Sequence, residues 1–117
     1  MIKALVGYTL VDGMTPAQYD KWLWEIHTPD LLANPHLQKI VYNTVLRPIE
    51  STSGDTMKLP QSIPLYRVAE LHFKDLQAYE AYRGWFKDHP IPLERGPAGR
   101  TNFKFYVLTD VAEATRS

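Results

Sequence analysis

The stretch TPAQYDKWLWEIHTPDLLANPHL, residues 15–37, is the most informative part of the chain, and it predicts a helix that packs on a core. Thr15 is a favourable N-cap residue, Pro16 suits the first helical position, and Gln18 stands where a capping box requires it. Spacing the residues by about 100° gathers large apolar side chains on one side of this helix. They are Tyr19, Trp22, Leu23 and Ile26.

A histidine stands near the predicted end of this helix. His27 lies beside the apolar stripe together with Asp20 and Trp24, which are neighbours at i, i+3 and i, i+4 spacings. Pro29 disfavours helical geometry at the preceding residue, so we expect the regular helix to break at Thr28. Two interpretations remain open. His27 either faces a cavity beside the core, or is an idle histidine favoured by the helix dipole.

Composition limits the class of protein. The 117 residues fit one domain, residues 1–117, with a single core. Thirteen Lys plus Arg balance thirteen Asp plus Glu, so neither nucleic acid nor a membrane surface is an expected partner. The chain has no cysteine, no apolar run of the roughly 20 residues that cross a bilayer, and no signal-peptide pattern. We therefore expect a cytoplasmic protein. Its many aromatic residues suit a core, an interface or an aromatic-ligand pocket.

The order of predicted elements indicates the fold class. The predicted strands are residues 2–11, 36–46, 65–73 and 101–110, and the predicted helices start after Thr15 and Asp75. This βαββαβ order is typical of an α+β, ferredoxin-like fold with a four-stranded antiparallel sheet and two helices on one face. The other face would be open and apolar in a lone subunit, so we expect a homodimer with the sheets packed face to face.

Two loops and one strand add candidate site residues. Residues 48–64 form a long segment that is either mobile or a lid, and residues 87–100 contain three prolines and two glycines, so no regular structure is expected there. The strand 65–73 has an apolar side that Arg67 interrupts. Its other side carries Tyr66, Val68, Glu70 and His72. That side would suit a polar-lined cavity, or equally a solvent-facing strand.

The segment from Tyr19 to Pro29, with Leu37 entering the next strand, resembles the EthD family of dimeric α/β-barrel proteins. Members of that family have an aromatic start, a bulky aromatic stripe, a Glu-Val-His-x-Pro motif and a Gly-Leu before the second strand. In this chain the motif reads Glu25-Ile-His-Thr-Pro29. The sequence departs from the family pattern at Leu23, Asp30 and His36.

The resemblance implies a dimer with one pocket per subunit, between the sheet and the helices and near His27. After the second helix, His89-Pro90 is similar to a His-Pro segment of the plant polyketide-cyclase and stress-responsive branch, with Pro92 where that branch has a second histidine. Relatives include polyketide cyclases, muconolactone isomerases, cofactor-free quinone-forming monooxygenases and haem-degrading enzymes. They act on hydrophobic, often aromatic or lactone-like molecules, and the fold alone selects none of these activities.

The residues themselves favour acid/base chemistry without a cofactor, of the cyclisation, isomerisation, dehydration or C–C lyase type. His27 would be the base, with Asp20 or Asp30 to orient it, and His89 on the long loop a second acid. A tyrosine would donate a hydrogen bond to a developing enolate oxygen, and the candidates are Tyr8, Tyr42, Tyr66 and Tyr82. The candidate substrate contacts are Trp24, Tyr42, His72, Trp85 and Arg95.

Two other classes of function remain open. One is haem binding, with or without monooxygenase-type chemistry, in which His27 or His89 would be an axial ligand. The other is a non-catalytic dimer whose aromatic pocket holds a hydrophobic metabolite. Glu70 and His72 could begin a metal site, but the sequence offers no third ligand, so we predict no metal.

Overall fold

The fold is an antiparallel sheet covered on one face by helices, as described by a computed structural model for residues 1–49 and 64–116. The strands are β1 (Ile2–Leu10), β2 (Lys39–Thr44), β3 (Arg67–Phe73) and β4 (Thr101–Asp110). Their order in the sheet is β2-β3-β1-β4, and each neighbouring pair is antiparallel. The predicted βαββαβ order and four-stranded antiparallel sheet are confirmed. Residues 50–63, most of the loop predicted at 48–64, lie outside the described residues.

The first helix begins as the sequence predicts. Helix α1 spans Pro16–Trp22, and its N-terminus carries a complete capping box. The Gln18 backbone N–H donates to Thr15 Oγ1 at 3.2 Å, and the Thr15 backbone N–H donates to Gln18 Oε1 at 3.0 Å. These two bonds satisfy backbone donors that the start of a helix would otherwise leave unpaired.

The predicted break at Thr28 is wrong. After α1 the chain passes through a π-helical segment, Leu23–His27, into helix α2 (Thr28–Leu32), and Thr28 itself is helical with φ −61° and ψ −47°. A proline ring crowds the carbonyl four residues earlier in an α-helix. The π turn adds a residue just before Pro29, and the Thr28 N–H donates to the Leu23 carbonyl five residues back. The helix therefore continues where a sharp end was expected.

Other boundaries differ from the prediction by a few residues. Strand β2 begins at Lys39 rather than residue 36 because the chain turns there, where the His36 backbone N–H donates to Asn34 Oδ1 at 3.1 Å. Helix α3 spans Leu76–Asp88, two residues longer than expected, and a short 3₁₀ helix, Leu93–Arg95, follows it. The prediction that residues 87–100 contain no regular structure is therefore wrong in part.

The core lies between the sheet and the helices. One face of the sheet packs against the first helix, residues 16–32, through a buried cluster: Tyr8, Tyr19, Trp22, Leu23 and Ala69. On the same face Phe73 is fully buried, and its ring meets Tyr79 and Tyr82 of α3 edge-on. The helix-free face is called the open face below. Among the described residues, no helix has the length and apolar character to span a membrane.

Candidate functional site

A cavity of about 200 Å³ lies between the helix-covered face of the sheet and the helices; we call it the central cavity. All four strands contribute to its wall, together with the first helix, α3 and the segment before β4. Its lining is Val6, Tyr8, Tyr19, Leu23, His27, Leu31, Ile40, Tyr42, Ala69, Leu71, Tyr82, Pro97, Thr101, Phe103 and Tyr106. Apolar and aromatic surface with few polar groups is typical of a small-molecule site.

An irregularity in the sheet brings β4 side chains into this wall. The pairing of β1 with β4 shifts between Gly7 and Tyr8, so that Gly7 pairs with Phe105 and Tyr8 pairs with Phe103. Lys104 of β4 is thereby left without a paired residue on β1. From this point the alternation of β4 side chains between the two faces of the sheet is reversed. Phe103 consequently joins Tyr106 on the helix-covered side, where both line the central cavity.

His27 is the ionisable group of the cavity wall that the sequence singled out. Its ring stacks on that of Trp22, with ring centres 4.6 Å apart and planes 16° apart. Its Nδ1 is buried and has no hydrogen-bond partner among the described residues. Burial lowers the pKa of His27 to about 4; Asp30 opposes this shift and Arg100 adds to it. The imidazole is therefore neutral at physiological pH, and the helix continues beyond it to Leu32, which removes the basis of the helix-dipole interpretation.

Besides the exposed Tyr106, four tyrosines share the cavity with His27: Tyr8, Tyr19, Tyr42 and Tyr82. Burial raises the pKa of each phenol, that of Tyr82 to about 12, so all four stay protonated. The Tyr42 hydroxyl lies 2.7 Å from Thr28 Oγ1. The Tyr8 hydroxyl is buried with no hydrogen-bond partner among the described residues, and the same holds for Thr101 Oγ1. Tyr8, His27 and Thr101 all line the cavity, but these three atoms are themselves buried within its wall, and Tyr19 interacts with the Tyr8 and Thr101 hydroxyls.

Two other predicted residues stand beside the cavity rather than in its lining. Tyr66 packs behind the wall, with its ring centre 6.5 Å from that of Tyr8 and 6.2 Å from that of Tyr19. Trp24 is 58% exposed on the outer side of the π-helical segment, where its ring meets Tyr42 edge-on. The extra residue of the π turn separates Trp24 from the side that His27 faces.

Four more predicted residues meet in a separate, shallow cleft of about 150 Å³, the outer cleft: Asp30, Trp85, His89 and Arg95. Arg95 donates two hydrogen bonds of 2.9 Å to the Asp30 carboxylate, and this pairing lowers the pKa of Asp30. The His89 ring stacks on Trp85 at 3.9 Å between ring centres, and its Nδ1 lies 3.0 Å from the Trp85 carbonyl oxygen. His89 is thus outside the central cavity, and Asp30 is bonded to an arginine rather than to His27.

His72 lies on the open face, away from the central cavity, where it pairs with Lys3 across β1 and β3. Its Nε2 is 3.1 Å from Glu70 Oε1, and Glu70 also binds Lys3 at 3.0 Å and Asn43 at 2.6 Å. The reason is strand alternation, since Glu70 and His72 face opposite to Ala69 and the cavity. In residues 1–49 and 64–116, no group of three or more His, Cys, Asp or Glu is placed to hold a metal ion.

Arg67 is the neighbour of the cavity that sequence reasoning did not assign. Its side chain is 6% exposed and donates to Asp20 at 2.8 Å, to Thr44 Oγ1 at 3.1 Å and to the Tyr66 hydroxyl at 3.2 Å. Its guanidinium also lies 5.9 Å from the centre of the Tyr42 ring. The sequence feature that could have identified Arg67 is its position as a single cation on the apolar side of a strand. Asp20, predicted as a possible partner of His27, binds this arginine instead.

Comparison with known proteins adds the fold but no activity. No protein-family model matches the sequence, and no curated protein matches it. Solved structures do match over almost the whole chain. The Arabidopsis thaliana protein At3g17210 is 13% identical, with a TM-score of 0.62 over 100% of this chain and 99% of its own. An EthD family protein from Bacillus halodurans is 12% identical, with a TM-score of 0.53 over 96% of this chain and 100% of its own.

This chain has the fold of an EthD family protein. A third match is a dimeric protein of unknown function and ferredoxin-like fold from Bacteroides fragilis, 15% identical, with a TM-score of 0.55 over 94% of this chain and 95% of its own. The ferredoxin-like fold predicted from the sequence, and the likeness in fold that the EthD resemblance implied, are both confirmed. Because the identities of these three proteins are 15% or lower, they show the fold alone, and the activity depends on the residues of the central cavity.

Proposed function

We propose that this chain is a small enzyme that performs acid/base chemistry, using side chains alone, on a hydrophobic aromatic or lactone-like metabolite bound in the central cavity. The observation that supports this most is the presence of one neutral histidine and four protonated tyrosines in an otherwise apolar cavity wall. Such a lining suits a ligand that carries hydroxyl or carbonyl groups on an apolar ring.

The volume of the cavity restricts the size of the ligand. A cavity of about 150 Å³ lined by apolar side chains holds benzene. The central cavity, at about 200 Å³, therefore suits one ring with a few substituents, such as a substituted phenol or a lactone. A porphyrin is several times larger than such a ring. Haem therefore fits this cavity less well than a one-ring ligand does.

The side chains around the ligand suggest the reaction. Neutral His27 can take a proton from an oxygen, or from a carbon next to a carbonyl group, through the ring nitrogen that carries no hydrogen. Tyr8 stays protonated and can donate a hydrogen bond to the enolate oxygen that forms. Cyclisation, isomerisation, dehydration and C–C cleavage all begin with such a transfer. His89 lies in the outer cleft, so the proposal depends on His27 and Tyr8.

One observation favours a second candidate, a non-catalytic binding protein. A base whose conjugate acid has a pKa of about 4 is weak at neutral pH, whereas an efficient general base has a pKa near the working pH. A ligand that acquires negative charge would raise the pKa of His27 and make it a better base. A ligand that stays neutral would be bound and released unchanged.

A thermal-shift screen followed by turnover assays distinguishes these functions. The library contains phenols, quinones, lactones, aromatic polyketides and haem. A ligand at a hundred times its dissociation constant stabilises the folded chain by about 2.7 kcal/mol, which is easily detected. Stabilisation by a one-ring phenol or lactone that is then slowly converted supports the enzyme. Stabilisation without conversion supports the binding protein, and a shift with haem alone, accompanied by a Soret band, contradicts both.

His27→Ala provides the decisive variant. We expect it to lower the turnover of the converted ligand by about 10²–10⁴-fold, the usual contribution of a general acid or base, with an unchanged far-UV circular dichroism spectrum. His36→Ala is the matched control, since His36 lies in the turn before β2 and outside the cavity lining. Full activity in His27→Ala would remove the acid/base assignment.

We also propose that the chain forms a homodimer through the open face. Pairing places an apolar group there: Leu5, Val41, Val68, Phe105 and Val107. On β4, which is an edge strand, Val107 is 48% exposed on this face. Contiguous apolar surface of this kind marks an interaction site. The dimeric Bacteroides protein of the same fold is consistent with a second copy as the partner.

A further inference from the structure

The lining of the central cavity carries no charge at neutral pH, yet two arginines stand just outside it. The lining consists of apolar residues, tyrosines, a threonine and neutral His27. Arg67 lies behind the tyrosines of β1 and β2, and Arg100 lies over the Trp22 ring, 5.0 Å from its centre. A cation near a dry apolar cavity acts on the cavity with little screening by water. These two charges therefore influence the ionisation of anything bound there.

Arg67 is held close to the cavity by the register of the sheet. It pairs directly with Tyr8 across β1 and β3, and residues paired in this way have Cβ atoms about 4.5–5.5 Å apart. Both side chains face the helices, and the guanidinium is close enough to the Tyr8 hydroxyl to act on it electrostatically. Hydrogen bonds to Asp20, Thr44 and Tyr66 fix its position. The buried cation is therefore built into the wall rather than free to swing away.

The negative charge that balances Arg67 is on the outer side. Asp20, its carboxylate partner, has a side chain that is 39% exposed, so water screens part of its charge. Arg100 donates to the backbone carbonyls of Glu94 and Gly96 and is paired with no carboxylate in residues 1–49 and 64–116. Asp30 is the carboxylate that acts on His27, and Arg95 neutralises it with two hydrogen bonds. The sum of all these charges is positive on the side of the cavity. Such a field favours a ligand that is negative.

We propose that the central cavity binds its ligand as an anion, an acidic phenol or enol that gives up its proton on binding, and that Arg67 is the positioning residue that stabilises this charge through the cavity wall. This inference rests on the proposed function and specifies its substrate class. In the step, the ligand O–H bond breaks, an N–H bond forms at His27, and the oxygen keeps the electron pair. The Tyr8 hydroxyl then donates a hydrogen bond to the anionic oxygen.

Two opposing effects act on the pKa of a bound phenol, so the direction in which that pKa shifts is informative. Burial in an apolar cavity disfavours a charged phenolate and raises the pKa of a bound phenol. A neighbouring cation favours the phenolate and typically lowers the pKa by about 1–3 units. If Arg67 only ties β3 to the first helix through Asp20, burial decides and the bound phenol ionises less readily than in water.

The probe is 4-nitrophenol, a one-ring phenol whose ionised form absorbs at longer wavelength. Its absorbance is titrated with pH in the free state and at saturating protein. For the wild-type chain we expect an ionisation constant about tenfold larger than in water, at the lower end of the effect of a neighbouring cation. Arg67→Met should cancel this increase, Arg67→Lys should keep part of it, and Asp20→Asn should enlarge it.

Asp20→Asn keeps the test valid if Arg67→Met does not fold, because Asp20 is partly exposed and its substitution leaves the cation in place. Arg83→Met is the matched control: Arg83 is an exposed arginine of α3, paired with Glu80 and outside the lining, and its loss should leave the ionisation of the bound phenol unchanged. A bound nitrophenol that ionises less readily than in water, or equally in wild type and Asp20→Asn, overturns the inference while phenol binding stands. If no phenol of the screen binds, the inference fails, and if no lactone or other aromatic compound of the screen binds either, the proposed function fails as well.

Discussion

The imidazole of His27 gains a proton far more easily in the unfolded chain than in the folded one. An unburied histidine has a pKa near 6.5, whereas burial lowers the pKa of His27 to about 4 in the fold. Between these values the unfolded chain binds the proton and the folded chain does not. Acid therefore favours unfolding in this window, and the free energy of unfolding decreases as the pH falls.

We predict that the free energy of unfolding decreases between pH 6.5 and pH 4 by up to about 3 kcal/mol more in the wild-type chain than in His27→Gln. Glutamine fills a similar volume and does not titrate. Urea unfolding at pH 7 and pH 4.5 measures the difference, since carboxylates that titrate in this range are common to both proteins. An identical pH dependence in the two would mean that His27 is not buried as described.

Residue types and spacing predicted some residues of the candidate site and missed others. His27 was predicted from its position beside an aromatic stripe, and Tyr8, Tyr42 and Tyr82 from their types alone. Arg67 was passed over because a lone cation in an apolar strand gives no indication of its partners. Asp20 is 47 positions away along the chain, and only the tertiary structure brings the two together. Long-range pairing of this kind is not encoded in local spacing.

At the level of elements, caps were easier to predict than interruptions. Thr15 and Gln18 announce the start of the first helix within four residues, and the structure has both of their bonds. The π turn at Leu23–His27 leaves no comparable pattern, because its cause is the conflict between Pro29 and continued packing on the core. Residues of the apolar stripe hold the helix in place across the proline, which a rule for the residue before proline does not include.

The cap offers a clean stability test. Thr15→Ala removes the acceptor of the Gln18 backbone N–H, so we expect the free energy of unfolding to fall by about 1 kcal/mol, as for other N-cap substitutions. Thr15→Ser keeps the hydroxyl and should stay close to wild type. Denaturant unfolding with an unchanged m-value measures both variants. Equal loss in Ala and Ser would assign the effect to the methyl group instead of the cap.

For the molecule as a whole, the order of elements was sufficient to predict the sheet and the helix-covered face. The far wall of the central cavity was not predictable. It consists of Pro97, Thr101, Phe103 and Tyr106, and the placement of the three β4 residues depends on the register shift between β1 and β4. A shift of one residue exchanges the two faces of a strand, and the sequence of β4 is aromatic on both. The outer cleft was likewise hidden, since it joins α2 to residues after α3.

The proposed assembly predicts a change in mass. We expect the wild-type chain to sediment as a dimer and Val107→Lys to shift it towards the monomer, because a lysine ammonium on the open face would have to lose its water in the interface. Leu76→Lys is the control, an exposed apolar residue of α3 away from that face. Sedimentation velocity at several concentrations decides. A wild-type monomer throughout, or equal dissociation in the control, would contradict an interface on the open face.

The π turn also indicates how a change in chain length can alter a cavity of this fold. A π turn contains one residue more than the α-helical turn it replaces, so a single inserted or deleted codon separates the two forms. In a chain lacking that residue, everything after the deletion would be rotated by about 100° relative to everything before it. Tyr19 and Trp22 could then stay on the core only if Thr28 and Leu31 left their present places. Which side chains enter the cavity can thus be exchanged by a change of length, with no substitution at any of them.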